Sequence, residues 1–146
     1  MNVLFELSNL LVLPFWFLML LLPGWRWTRS IMRSPYVIVV PVILYAVLVL
    51  PHFGEIWPVV SRPALGDVTK LLSSPAGATI SWVHFVAFDL FVGRWIYLDG
   101  KDQGVSFWLQ APALFLTLVL GPVGFLVYVI LRFICLHLGT SLGEKR

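Results

Sequence analysis

Charge is scarce in this chain. Lys, Arg, Asp and Glu supply 12% of its 146 residues, against about 25% in an ordinary soluble domain. With 60% hydrophobic residues and a mean hydropathy of +0.93, a conventional soluble domain is excluded and an integral membrane protein is expected. Cysteine is nearly absent. Cys135 stands alone, which excludes an internal disulfide and a thiolate metal cluster. The three histidines, His52, His84 and His137, fall in separate segments without the i, i+4 pair of a helix-borne metal site. No metal and no cofactor is therefore expected, and a di-iron membrane oxygenase is disfavoured. Phosphate-binding loops, dinucleotide fingerprints, serine-nucleophile elbows and internal repeats are also missing. The net charge is +3, but the basic residues flank apolar runs and form no stripe, so nucleic acid is not an expected partner.

What remains is long apolar runs. A spanning helix takes about 20 predominantly apolar residues. Four such runs predict an all-α polytopic membrane protein, a four-transmembrane-helix bundle forming one domain over residues 1–146, with helices at 3–22, 36–53, 79–98 and 107–133. The first run lacks the basic n-region and small-residue cleavage site of a signal peptide and is read as a retained helix. The second is bounded by Pro35 and Pro51 and interrupted by Pro41, which predicts a short, kinked helix. The connection 51–78 holds four prolines, with a short interfacial helix expected over 65–72. Residues 99–104 read as a tight turn. Tryptophans cluster near the run ends, where an interfacial aromatic belt belongs. Under the four-span reading Arg26, Arg29, Arg33, Arg94 and Lys101 fall on one face, and Arg62, Lys70, Arg132, Lys145 and Arg146 on the other. That balance leaves orientation undecided.

The segment 82–100 combines a span-length apolar run with His84, Asp89 and Arg94, and Asp99 follows at its end. Ionisable groups at membrane depth are costly and mark functional sites. Each five-residue step, His84 to Asp89 and Asp89 to Arg94, turns roughly 140° and advances about 7.5 Å along a helix. Asp89 therefore shares a face with Trp82, Phe85, Gly93 and Ile96, and His84 shares one with Phe88, Phe91 and Trp95. A carboxyl at the Asp89 position must be paired, solvated or held neutral. Tyr45, Thr117, Tyr128 and Arg132 are the polar groups that other helices could offer. The structural alternatives stand beside these readings: an interfacial anchor for Arg94, an interhelical hydrogen bond for His84, and a turn residue for Asp99.

The pattern Ser73-Ser74-Pro75, Trp82-x-His84, Ala87-x-Asp89-Leu90-Phe91, Arg94 and Asp99-Gly100, with Gly121-Pro122-x-Gly124 further on, resembles the neoxanthin-synthase-like membrane proteins, relatives of the plant abscisic-acid-deficient protein of chloroplast membranes. The resemblance covers roughly residues 65–131. It implies an isomerisation of a carotenoid epoxide (a xanthophyll) without a redox cofactor. His84, Asp89 and Arg94 are then the candidate catalytic residues, and Trp82, Phe88, Phe91, Trp95 and Asp99 the candidate substrate-binding ones. The expected partners are membrane lipid, a carotenoid ligand and, in view of the small size, a second copy of the chain. The absence of a Ser/Arg-rich transit segment implies a bacterial inner-membrane or cyanobacterial plasma- or thylakoid-membrane member. Two other classes remain open: a non-catalytic carotenoid- or lipid-binding protein, and a structural subunit of a membrane complex.

Overall fold

A computed structural model describes residues 1–143, with side chains described through Leu136. The His137 side chain and residues Lys145 and Arg146, considered above, lie outside that description. The described chain is all-helical: α1 (Asn2–Leu21), α2 (Arg26–Arg33), α3 (Tyr36–Ser61), α4 (Leu65–Leu72), α5 (Pro75–Asp102), α6 (Phe107–Leu120) and α7 (Pro122–Gly143). Three of these, α1, α3 and α5, are long and apolar enough to cross a membrane. At 1.5 Å per residue, α5 measures about 42 Å, and Asp89 lies at its midpoint.

α3 runs to Ser61, eight residues beyond the expected end, although Pro41, Pro51 and Pro58 all lie inside it. Proline holds φ at a helical value and removes one N–H, a loss that an apolar helix with packed neighbours accommodates. α4 coincides with the short helix expected from sequence. α5 carries Asp99 and Gly100 as helical residues, so the expected turn over 99–104 shrinks to the residues after Asp102, where Gly104 takes φ +69°.

The single fourth helix expected over 107–133 is two helices. Gly121 adopts φ +42°, a left-handed conformation in which only glycine is at ease. Pro122 follows as the first residue of α7, where its missing N–H costs nothing. The chain folds back at this point. A Cβ on Gly124 would collide with the backbone of Ala113 and Thr117, yet residues 113 and 124 would stand about 16 Å apart along one straight helix. A glycine-lined close approach thus clasps α6 against α7.

The chain forms two compact units. The first comprises Met1–Pro14 and Pro35–Ala87. Its core is Leu48, Ile80 and Val83, with Leu4, Leu44, Tyr45, Val49 and Ile56 packed around them. The second comprises Phe15–Ser34 and the chain from Phe88 onward. Its buried residues include Trp16, Met19, Met32, Leu90, Ile96, Tyr97, Leu114 and Tyr128. Large apolar side chains such as Phe17, Ile43, Val47, Leu50, Phe115 and Phe133 are exposed, far more than the scattered single residues of a soluble monomer.

Candidate functional site

In the second unit, the outer end of α5 is held by polar contacts. Arg94 donates to the carbonyls of Met32 (2.5 Å) and Arg33 (3.1 Å), the last carbonyls of α2, which a helix end leaves without internal partners. The Tyr97 hydroxyl donates to the Pro23 carbonyl at 2.8 Å. Arg29 pairs with Asp102 at 2.7 Å. The Arg94 guanidinium therefore ties α2 to α5.

Asp99 sits at the centre of a side-chain network. Its carboxylate accepts the Tyr128 hydroxyl at 2.6 Å and the Arg132 Nε at 2.7 Å. Both donors come from α7. Trp95, one turn earlier on α5, packs edge-on against Tyr128 and also against Phe125, with ring centroids 5.5 and 5.6 Å apart. Phe88, Phe91, Trp95 and Asp99 lie within roughly 80° of arc on α5. The three aromatics are exposed and Asp99 is largely covered.

Asp89 stands ten residues, about 15 Å, before Asp99. Its carboxylate lies against Gly121, in the space a Cβ there would occupy. Among the described residues no side chain donates a hydrogen bond to it and none forms an ion pair with it. The hairpin geometry follows from three contacts. Gln110 packs against Gly100, Arg132 binds Asp99, and Gly121 meets Asp89. Gln110 of α6 and Arg132 of α7 therefore both lie beside the end of α5, and the tip of the hairpin lies beside its midpoint. Tyr128 and Arg132, considered above as partners for Asp89, are partners of Asp99 instead. The clue was Gly121-Pro122, which reverses the chain and brings Arg132 back to the level of Asp99.

The first unit holds His84 and Trp82. The His84 ring contacts that of Tyr45 on α3, with centroids 5.3 Å apart. The Trp82 indole N–H donates to the Asn9 side-chain oxygen at 2.9 Å, and its ring lies 5.2 Å from that of Phe5. His84 also lines a cleft of about 370 Å³ formed by α3, α4 and α5.

This geometry can be set beside known proteins. A family model described as ABA DEFICIENT 4-like matches residues 3–128. The chain belongs to the ABA DEFICIENT 4-like family. A similar relative is the Arabidopsis thaliana chloroplastic protein ABA DEFICIENT 4, 26% identical over 134 residues. The match covers 88% of this chain and 60% of that protein's length. No solved structure matches. The family match takes in every residue singled out on α5, and Tyr128 at its edge, while Arg132 lies just beyond it.

Proposed function

We propose that this ABA DEFICIENT 4-like chain is an integral membrane protein of carotenoid metabolism and that the Asp89 carboxyl isomerises the epoxide end group of a xanthophyll. The observation that carries the proposal is the placement of Asp89: a carboxyl without a side-chain partner among the described residues, at the midpoint of a membrane-length helix, against a glycine that leaves it room. A carboxyl at such depth is too costly to be kept without use.

The reaction moves one proton and breaks one C–O bond. Asp89 in its acid form gives its proton to the epoxide oxygen as the bond from that oxygen to the polyene-bearing ring carbon breaks. The oxygen remains on the neighbouring ring carbon as a hydroxyl. The adjacent chain carbon then gives up its proton, and the electron pair of that C–H bond completes an allene. The Asp89 carboxylate takes this proton and returns to its starting form. One carboxyl with two oxygens thus serves as acid and then base. His84 lies roughly 140° around the helix and about 7.5 Å along it, so it is not required as the base. Phe88 and Phe91, exposed on either side of Asp89 in sequence, offer apolar surface to a polyene arriving from lipid.

In the membrane, α1, α3 and α5 cross, and α6–α7 enters from the Asp99 side, turns at Gly121 and leaves by the same side. The 14 residues of α6 measure about 21 Å, short of the roughly 30 Å hydrocarbon core. This hairpin takes the place of the fourth span. It also moves Arg132 to the side of Arg26, Arg29, Arg33, Arg94 and Lys101, leaving Arg62 and Lys70 as the described basic residues of the opposite side. The positive-inside rule then puts the Asp99 end in the cytoplasm-equivalent compartment.

The proposal is tested by incubating the purified protein, reconstituted in lipid, with violaxanthin and separating the pigments chromatographically. An allenic isomer of unchanged mass is expected. Bound but unconverted pigment would mean a carotenoid-binding protein instead.

A further inference from the structure

The cleft of the first unit is not lined by Asp89 and has its own chemistry. Its walls are aliphatic, supplied by Ile56 and Val59 of α3, Leu71 and Leu72 of α4, and Ile80 of α5. Its volume of about 370 Å³ lies within the range of roughly 300–1,000 Å³ typical of small-molecule sites. No Lys, Arg, Asp or Glu lines it. Three residues with polar side chains do: Tyr45, Ser81 and His84.

The two hydroxyls have no hydrogen-bond partner among the described residues. That is unusual for Ser81. A helical serine commonly bonds back to a carbonyl one turn earlier, as Ser73, Thr79 and Thr117 do in this chain. Ser81, two residues after Thr79, does not. A small set of placed polar groups in an aliphatic cleft fixes the orientation of an apolar ligand by its own polar atom. A lining without Lys or Arg offers no fixed counter-charge to a fatty-acid carboxylate or a phosphate, whose charge would be costly to desolvate there.

We infer that this cleft binds the end of a neutral lipid that carries an uncharged oxygen, a hydroxyl or an ether, with Tyr45 and Ser81 as its hydrogen-bonding partners and the aliphatic residues of α3 and α4 around its hydrocarbon body. Occupation of the cleft does not depend on any chemistry at Asp89, and its test does not use that carboxyl.

The full chain is reconstituted in phosphatidylcholine nanodiscs and titrated with all-trans-retinol, an isoprenoid alcohol. Energy transfer from tryptophan to retinol is followed, with empty nanodiscs as the baseline. The competitor is all-trans-retinoate at pH 8.5, of the same shape but charged. A saturable signal is expected, weakened about three- to tenfold in affinity by Ser81→Ala and by Tyr45→Phe, each of which removes one hydrogen bond. Ile80→Phe, which fills the cleft, is expected to abolish it, and retinoate to displace retinol poorly. Ser81→Ala removes one oxygen from a partly exposed position and leaves the fold intact, so it decides the question if Ile80→Phe fails to fold. A signal that rises without saturation, one unchanged in both hydroxyl variants, or one displaced equally well by retinoate overturns the inference.

Discussion

Gly121 meets the Asp89 carboxylate at the midpoint of α5, with an Asp89 oxygen in the space where a side chain on residue 121 would stand. Two requirements coincide at this one glycine. The backbone needs φ +42° to reverse from α6 into α7, and the carboxylate needs the volume. Gly121→Ala is expected to destabilise the protein by about 1–3 kcal/mol through the left-handed backbone alone, with the collision added to it. Thermal unfolding in detergent measures this. Combining Gly121→Ala with Asp89→Ala should recover the collision part but not the backbone part. Full recovery would show that the turn itself is unstrained.

The Tyr128 hydroxyl and Arg132 both hold Asp99. Tyr128→Phe removes a 2.6 Å hydrogen bond to a carboxylate from a fully buried ring and is expected to cost about 1–2 kcal/mol. Arg132→Gln is expected to destabilise as well, with Arg132→Lys milder, since lysine keeps the charge but not the fork geometry. In a double-mutant cycle with Asp99→Asn, each pair should be non-additive. Additive effects would mean that the network does not hold the hairpin to α5.

The re-entrant hairpin makes a topological prediction that the native cysteine can report. Cys135, one turn beyond Arg132 and partly exposed, should react with a membrane-impermeant maleimide from the same side as Gln103→Cys in a Cys135→Ser background. Ser73→Cys, before the start of α5, should react from the opposite side. Four complete spans would put Cys135 with Ser73→Cys.

Arg94 is expected to behave as a positioning residue. Arg94→Gln should loosen α2 from α5 and raise proteolysis within residues 22–35. It should also lower conversion and thermal stability together. Arg94→Lys should recover part of the stability. Lost conversion with unaltered stability and proteolysis would instead place Arg94 at the reacting group.

Much of this architecture is legible in the residues themselves. The apolar runs mark α1, α3 and α5, the pair Asp67 and Lys70 sits on the α4 expected from sequence, and 3.6-residue geometry separates the Asp89 face from that of Trp95 and Asp99. The fourth apolar run is where a linear reading fails. Twenty-seven residues, with no charge between Leu109 and Leu131, satisfy the length and composition of a span whether the chain continues or reverses, and proline and glycine are tolerated inside membrane helices. The positive φ of Gly121 and the close approach at Gly124 distinguish the two. The partner of Asp99 was hidden for the same reason, because Arg132 reaches it only once the chain has turned back. Asp99 itself, next to a glycine, carries the signature of a turn. It is helical because α5 continues to Asp102, whose carboxylate pairs with Arg29.

Isomerisation by the Asp89 carboxyl is measured by the conversion of violaxanthin by Asp89→Asn and Asp89→Glu beside the wild type. All three are reconstituted in lipid and checked for correct insertion through Cys135. An allenic product is expected from the wild type, at least a hundredfold less from Asp89→Asn, and partial activity from Asp89→Glu, which keeps the carboxyl but moves it by one methylene. Turnover by Asp89→Asn equal to that of the wild type would contradict isomerisation by this carboxyl.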